Sequence, residues 1–448
     1  MRAATRRLLD RAFTAVSLLA VAALAAALLL LLGPIVTRGA GAFVFRGTVE
    51  HRRLLREQFG RGDPQAVARD VAAAAAARRP VYELLARFQA ELDAADAATR
   101  RKYRAPLREL QEALHTLFGA PPAEGQALLL RNRYGATRWD QAQAALRGVL
   151  YTEEWDYSDP TRLGAKRLAP RAEQFRGTTL EPLFSLLERE ARAMLRPRWT
   201  CYARFLTDRS LDAHFFGGIG PEALGTLYLA VGAMLFAVPF GLIAAIYLAE
   251  FAGEGRLVGL LRMCISTLAG VPSIVFGLFG LAFFIHALRV SSSKSVLAGA
   301  LTLAVMILPT VIRAAEEALR AVPPTYKEAA LSLGASRWHT VLSVVLPAAL
   351  PGVLTGIVIS LGRAAGETAP IIFTAAVSMG PALKPWETLS QPTPALSWNI
   401  YNLTTEHEAV ERIRHVQFGM IFTLVALVLL LNAAALWLRA RVSRKLRG

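Results

Sequence analysis

Two opposite charges lie inside an otherwise apolar part of the chain. Arg363 and Glu367 are four residues apart, so a helix places them on one face, where they can pair. Charged side chains within a membrane are costly and normally face a water-filled cavity or a partner. A guanidinium presents a planar fork of donors that suits phosphate oxygens, and Glu367 can hold that fork when no anion is present. The two residues therefore predict a substrate path; a buried ion pair that only fixes the helix register is the alternative.

Small residues repeat along the same stretch. They are Gly352, Gly356, Gly362 and Gly366. Two small-x-x-x-small pairs let helix backbones approach closely, so these glycines predict tight helix packing beside the charged pair.

A second charged cluster directly follows the preceding apolar stretch. It consists of Arg313, Glu316, Glu317 and Arg320. Because these residues recur at helical spacing, we interpret them mainly as a solvated face of mutually paired side chains. A cytoplasmic gate formed by Arg313 and Glu316 is the alternative.

The residue pattern favours neither catalysis nor metal binding. His407, Glu411 and His415 share a helical face, but the eight-residue spacing of the histidines favours a solvated stripe over a zinc site. The chain also lacks the G-x-x-x-x-G-K-[ST] loop that cradles a triphosphate. We therefore expect no enzyme activity and no cofactor in this chain.

Six apolar stretches must position these residues. They are 13–36, the segments between residues 222 and 250 and between 262 and 289, 295–312, a stretch from 341 past 363 toward 379, and 416–438. Each is close to the roughly 20 residues of helix that cross a bilayer core. Since unpaired backbone groups are costly in hydrocarbon, such stretches must be helices. The predicted fold is an all-α membrane protein with six transmembrane helices.

The formal net charge of +17 does not indicate nucleic-acid binding, because basic residues cluster beside the first and last apolar stretches. Lys and Arg near membrane spans mark the cytoplasmic side, and they also favour anionic lipid head groups. We therefore predict two cytoplasmic termini, which agrees with an even number of spans, and no nucleic-acid partner.

The charge rule divides the chain into three parts. Residues 1–36 are a cytoplasmic amino terminus with the first span, 37–221 an external insert, and 222–448 a membrane core with five spans. The insert has 30 Lys and Arg against 22 Asp and Glu, and long translocated domains escape the charge rule. Its pattern is mostly helical, with helices at 139–150 and 180–195 and a break at Pro80. Two roles stay open for it: docking a partner, or an inert elaboration.

The cytoplasmic segment 313–346 predicts two short helices separated by a turn. Pro323 and Pro324 stop the fourth span, a short amphipathic helix follows, and Gly334 supplies a turn that residues with a β-carbon resist. A second short helix then leads to Pro347, near the start of the fifth span. Such a projecting pair of helices suits a groove in a partner.

This arrangement resembles the EAA loop of ABC-importer permeases. The matching positions are Glu328, Ala329, Ala330, Gly334, Leu346 and Pro347. The resemblance implies that these residues dock into a cleft of a separate ATP-hydrolysing subunit, which holds the ATP and Mg.

Four further strings narrow the resemblance to PstA-type phosphate permeases of the type I ABC importer kind. They are residues 362–370 (GRAAGETAP), 225–229 (GTLYL), 245–250 (AIYLAE) and 270–277 (GVPSIVFG). The resemblance implies a bacterial inner-membrane subunit that pairs with a sister permease, two ATP-binding subunits and a periplasmic phosphate-binding protein. Compact family members have no insert of this size, so the resemblance does not explain residues 37–221. Permeases for molybdate, sulfate or phosphonate, and a membrane scaffold in phosphate signalling, are the alternative functions.

Overall fold

A computed structural model of the 448-residue chain describes residues 3–121, 129–156, 165–253, 255–406 and 410–447. The chain divides into two compact units. One unit is the domain Phe43–Tyr202, and the other, the membrane unit, combines Met1–Ala42 with Ala203–Gly448. The domain is therefore shorter than the predicted insert 37–221, because residues 203–221 fold with the membrane unit.

Helices dominate both units. The described α-helices are α1 (Ala3–Ala40), α2 (Val49–Phe59), α3 (Pro64–Ala94), α4 (Ala97–Phe118), α5 (Leu130–Arg133), α6 (Trp139–Leu150), α7 (Glu181–Leu195), α8 (Gly220–Ile246), α9 (Arg256–Ala269), α10 (Ser273–Gly280), α11 (Val296–Arg320), α12 (Pro324–Ser332), α13 (Arg337–Thr340), α14 (Leu346–Gly366), α15 (Ala369–Thr374), α16 (Leu396–Thr405) and α17 (Val410–Arg447). Six short strands form three antiparallel pairs, β1 (Val44–Gly47) with β4 (Arg198–Cys201), β2 (Tyr151–Asp156) with β3 (Ala165–Pro170), and β5 (Ser210–Leu211) with β6 (Phe216–Gly217).

The domain has its own hydrophobic core. Apolar faces of α3, α4, α6 and α7 meet there, with Phe88, Phe175 and Leu187 among the buried residues. Helices α6 and α7 confirm the predictions at 139–150 and 180–195. The predicted break at Pro80 is wrong, because α3 continues through it to Ala94. The lost hydrogen bond is offset by buried residues on both sides of Pro80, such as Val81.

Buried ion pairs join distant parts of the domain. Asp70 on α3 lies 3.2 Å from Arg52 and 3.1 Å from both Arg196 and Arg198. Arg78, about two turns further along α3, donates to Glu50 Oε1 at 2.9 Å and to the carbonyl of Met194. Removing one member of such a pair leaves a buried charge uncompensated and costs about 3–5 kcal/mol.

The membrane unit contains five helices long and apolar enough to span a bilayer among the described residues. They are Arg11–Ala40, Gly220–Phe251, Val296–Arg320, Arg337–Gly366 and Arg412–Arg441. A sixth span results if the pair Arg256–Ala269 and Ser273–Ala287 crosses as one. Five of the six predicted stretches therefore form long helices, and the count of six depends on that pair.

The predicted span between residues 262 and 289 consists of two helices rather than one. Helix α9 and helix α10, which continues into a wide (π-helical) turn at Leu281–Ala287, meet at a bend of 101°. The bend lies at Gly270, Val271 and Pro272, where proline cannot continue a helix and pushes the preceding residue toward an extended backbone.

The fifth span both begins and ends earlier in the sequence than predicted. Helix α14 stops at Gly366 rather than running toward residue 379, and the short helix α15 follows. At its other end the helix is continuous from Arg337 through a wide turn, Val341–Val345. Pro347 thus lies inside a continuous helix, and the wide turn before it accommodates a residue without an N–H.

Helix α11 is the centre of the membrane unit, with 67% of its apolar window buried against 39% for the next most buried span. Its neighbours approach it through glycines. Those whose added Cβ would meet α11 too closely are Gly232, Gly241, Gly280, Gly352 and Gly356. At Gly352 the added atom would lie 2.7 Å from Ala318 Cβ, so the glycine backbone lies directly against a small side chain of α11.

We expect Gly356→Ala to destabilise the membrane unit, because its new methyl group would overlap Ala314 Cβ. Overpacking of this kind costs about 1–3 kcal/mol, measurable as earlier thermal unfolding of the full chain in detergent. Gly366→Ala is the matched control, since no described atom lies within 4 Å of the added Cβ there. Equal melting of the two variants would contradict the packing account.

We expect the domain to lose stability on acidification through His51. Burial lowers the pKa of His51 to about 3 from 6.5, and Arg138 and Arg52 act in the same direction. The unfolded chain therefore binds a proton that the folded domain does not, and stability falls as the pH drops below about 6.5.

Between pH 7.5 and 5.0 this amounts to about 2 kcal/mol, measurable by hydrogen exchange of peptides from residues 43–202 in the full chain. In His51→Gln this part of the pH dependence should disappear. An unchanged pH profile in the variant would count against the assignment.

Candidate functional site

The predicted substrate-path residues lie where a membrane helix ends. Arg363 is in the last turn of α14, and Glu367 follows the final helical residue with an extended backbone. Arg363 Nε lies 3.3 Å from Glu367 Oε1. Neither terminal nitrogen of Arg363 has a hydrogen-bond partner among the described residues. The side chains are 38% and 23% exposed, so within this chain the pair is accessible rather than buried.

The backbone beyond the pair is held by polar contacts. Ser397 on α16 donates to the carbonyl of Glu367 at 3.2 Å. Lys294, which precedes α11, donates to the carbonyl of Ile372 at 2.7 Å and to that of Ala376 at 3.4 Å. These bonds satisfy carbonyls at the end of α15 that its short helix leaves open. The backbone break between α14 and α15 is therefore stabilised by specific hydrogen bonds.

The four predicted packing glycines behave differently. Gly352 and Gly356 face Ala318 and Ala314 of α11. An added Cβ at Gly362 would meet Val428 only at ordinary contact distance, 3.6 Å, and one at Gly366 would meet no described atom. Within this chain, Gly352 and Gly356 therefore make the close helix contacts, whereas the surroundings of Gly362 and Gly366 leave room for a Cβ.

Residues 313–346 form the expected helix, turn and helix. Helix α12 begins at Pro324, and Gly334 has φ +86°. Ser336 then accepts the backbone N–H of His339 as an N-cap at 3.2 Å. Glu328 and Ala329 are exposed, and Leu333 at the tip is 90% exposed. Leu331 and Trp338 of the same segment are exposed too, and several exposed apolar side chains together are typical of a contact surface.

One ion pair anchors this segment to the second long span. Lys327 Nζ lies 2.5 Å from Glu250 Oε1, in the wide turn Tyr247–Phe251 that ends α8. The ring of Phe251 lies 6.1 Å from that of Trp338. Ala245, Val341 and other apolar residues form a buried cluster at the same end. Helix α12 and the helix that begins with α13 are therefore both in contact with the end of α8.

The charged cluster at the end of α11 is paired in part, through Glu316. Glu316 lies 2.9 Å from Arg320 and 3.1 Å from Arg262 of α9, while Arg313 bonds the hydroxyl of Ser266. A shallow cavity of about 310 Å³ lies between these residues and Glu317. Arg262 was not predicted to join them, because it lies 54 residues from Glu316 in sequence and the contact is a tertiary one.

A buried polar network at the other end of α8 escaped sequence reasoning. Glu222 Oε1 lies 3.1 Å from His214 Nε2 and accepts from Asn399 Nδ2 at 3.4 Å. All three side chains are almost fully buried. Thr226 extends the network by accepting the N–H of Leu396 at 2.8 Å. The partners are 8 and 177 residues apart, and the only sequence signal was a glutamate at the edge of an apolar stretch.

Among the described residues no three His, Cys, Asp or Glu side chains gather closely enough to hold a metal ion. Of the predicted solvated stripe, His407 lies outside the described residues, and the side chain of Glu411 is likewise not described.

Comparison with known proteins identifies the class. Residues 237–448 match the family described as binding-protein-dependent transport system inner membrane component. The chain is 34% identical over 253 residues to the probable ABC transporter permease protein YqgI of Bacillus subtilis (strain 168), covering 54% of this chain and 85% of that protein. The chain belongs to this family of ABC importer permeases and is a multi-pass membrane protein.

More particular relatives are named for phosphate. The chain is 37% identical over 239 residues to the phosphate transport system permease protein PstA 1 of Mycobacterium tuberculosis (strain ATCC 25618 / H37Rv), covering 53% of this chain and 74% of that protein. Among solved structures, the inward-facing MetNI methionine ABC transporter covers 49% of this chain and 94% of its own, at 20% identity and a TM-score of 0.41.

We expect Lys327→Gln to loosen α12 by removing its link to Glu250. Hydrogen exchange of peptides from residues 324–340 should rise about threefold or more, the factor that corresponds to a partly buried pair of under 1 kcal/mol. The exchanged pair Glu250→Lys with Lys327→Glu should restore protection.

Glu328→Gln provides the control, because the neighbouring Glu328 side chain is exposed and has no described ion-pair partner. If it raised exchange as much as Lys327→Gln, the anchoring role of the Lys327–Glu250 pair would be wrong.

Proposed function

We propose that the chain is the permease subunit of an ATP-driven importer of inorganic phosphate. The observation that carries this proposal is Arg363, whose two terminal nitrogens have no described partner, at an accessible helix end beside Glu367. A guanidinium with free donors binds phosphate oxygens in a bidentate manner. Relatives named as phosphate permeases support the same solute.

The proposed topology has six spans in the bacterial inner membrane. The bent pair formed by α9 and α10 counts as one broken span. Backbone breaks at membrane depth are tolerated where they line a cavity or are buried in protein. Both termini then lie in the cytoplasm, Phe43–Tyr202 lies outside, and α12 with α13 faces the cytoplasm.

The proposed partners follow from the two ends of the membrane unit. On the cytoplasmic side, α12, Gly334 and α13 dock into one of two ATP-binding subunits, which hold ATP and Mg. Leu333 supplies an apolar anchor there, and the Lys327–Glu250 pair passes the movement to α8. A sister permease completes the path beside Arg363, and a periplasmic binding protein delivers the solute.

At the site, Glu367 and the solute share one guanidinium. With no anion present, Glu367 holds Arg363 through Nε and leaves the terminal nitrogens free. An arriving phosphate takes those nitrogens without first breaking the ion pair. Transfer of the solute to the inner side then returns Arg363 to Glu367 alone. Phosphate is thereby bound weakly enough to leave, because the guanidinium is never without a carboxylate.

The substrate is tested by uptake in a bacterial strain that lacks this chain and retains the partner subunits. We expect the chain to restore uptake of radiolabelled phosphate and not of molybdate, sulfate or phosphonate. Restored uptake of one of those oxyanions instead would assign the importer to it. If phosphate uptake is the same with and without the chain while phosphate-responsive gene expression differs, the chain is a signalling scaffold.

The role of Arg363 is tested by Arg363→Lys and Glu367→Gln in the same strain. Lysine keeps the charge and the ion pair but loses the planar fork of donors. Phosphate uptake should therefore fall about tenfold or more, which corresponds to about 1.4 kcal/mol or more of lost interaction with phosphate. ATP-driven closure should persist. Glu367→Gln should keep measurable uptake, because the fork remains.

Arg320→Lys is the matched control, since it changes a paired arginine away from the proposed path. Full phosphate uptake by Arg363→Lys would remove Arg363 from the path and leave the pair a purely structural role.

A further inference from the structure

The pair of strands β1 and β4 presents one exposed face of unusual composition. Arg46 lies opposite Trp199, and Val44 opposite Cys201. Directly opposed residues in an antiparallel pair share a face, and all four of these side chains are exposed. Trp199 is 70% exposed, and Arg46 lies over its ring at 4.9 Å. Tryptophan, with an apolar ring and a polar N–H, is enriched at interfaces and at membrane surfaces, and the arginine on its ring adds a positive charge.

Further arginines extend this face into a basic patch. A shallow cavity of about 590 Å³ is lined by Arg46, Arg192, Ala193, Arg196, Pro197, Arg198 and Trp199. No carboxylate lines it. Arg46 and Arg192 have no ion-pair partner among the described residues, and the single carboxylate Asp70 is shared by Arg52, Arg196 and Arg198. The patch therefore has a positive excess with an aromatic centre.

The chain keeps this patch close to the bilayer. Helix α1, the first membrane-spanning helix, ends at Ala40, and β1 begins at Val44. At no more than about 3.6 Å per residue, Arg46 is within roughly 20 Å of the end of that helix. Arg46 and its partner Trp199 can therefore reach the head-group region, where tryptophan and arginine are favoured side chains.

We propose that the face formed by Val44, Arg46, Arg192, Trp199 and Cys201 is a binding surface for anionic phospholipid head groups. The guanidinium groups of Arg46 and Arg192 bind lipid phosphates, while Trp199 inserts its ring at the level of the glycerol groups. The domain is thereby held on the bilayer surface rather than swinging free on its two connections. This surface needs only a membrane-spanning chain and is independent of the transported solute.

Cys201 provides a probe on the same face. The full chain with Cys264→Ser retains Cys201 as its single thiol, because the sequence has two cysteines. A spin label on Cys201 is then compared in nanodiscs of phosphatidylcholine alone and of phosphatidylcholine with roughly one third phosphatidylglycerol. We expect the collision rate with a water-soluble nickel complex to fall about threefold in the anionic discs, with a rise in collisions with lipid-soluble oxygen.

The double variant Arg46→Gln and Arg192→Gln should abolish the difference between the two lipids. The double variant Arg100→Gln and Arg104→Gln is the matched control, because it removes two exposed arginines of α4 in the same domain and should leave the difference intact. Thermal unfolding of each variant shows that the domain is folded.

A second readout isolates Trp199 itself. Quenching of tryptophan fluorescence by brominated phosphatidylglycerol should be smaller in Trp199→Phe than in the parent chain, although six other tryptophans remain. The proposal is overturned if the label is equally accessible in both lipids, if protection requires the sister permease or the binding protein, or if free inorganic phosphate alone produces it.

Discussion

The membrane unit depends on the close approach of helix backbones to α11. Glycines on α8, α10 and α14 meet alanine, valine and threonine side chains of α11, so these helices are separated by little more than a methyl group. Lipid tails are as apolar as leucine, and a membrane helix therefore gains little from burying large apolar side chains. Close backbone contact supplies dispersion energy in their place. A bulky residue on any of these faces would push a whole helix away, since the opposing atoms belong to a short, stiff side chain or to the backbone.

This packing explains how two distant sites can act together. The continuous helix Arg337–Gly366 lies on α11 through Gly352 and Gly356. One of its ends is α13 of the cytoplasmic segment and the other contains Arg363, about 40 Å apart at 1.5 Å per residue. Because the middle of the helix lies directly against α11, the proposed coupling between α13 and Arg363 requires the helix to move as a body. The Lys327–Glu250 pair adds α8 to the same movement.

Local features of the sequence predicted much of this architecture. Apolar stretches gave the long helices, and proline and glycine gave the helix, turn and helix at α12 and α13. The bend at Gly270 and Pro272 also had a local signal, which the even hydropathy of the stretch concealed. Pro80 misled in the opposite direction, because buried side chains on either side of it hold α3 together. By contrast, the contacts of Glu222 with Asn399 and of Glu316 with Arg262 join residues far apart in sequence, and spacing rules reach only the next turn of a helix.

The position of Arg363 accounts for a charge that looked out of place in an apolar stretch. In sequence it lies in the middle of a long span, but in the structure it is in the last turn of α14. The carbonyl end of a helix favours a cation by about 0.3–1 kcal/mol or more, and Glu367 adds a full negative charge just past that end. The guanidinium is therefore stable there without any solute. An anion must compete with both groups for it, so its binding is necessarily weaker than binding to an isolated arginine in the same surroundings. For a transport path this balance is an advantage, because a solute held by an uncompensated charge would leave only slowly.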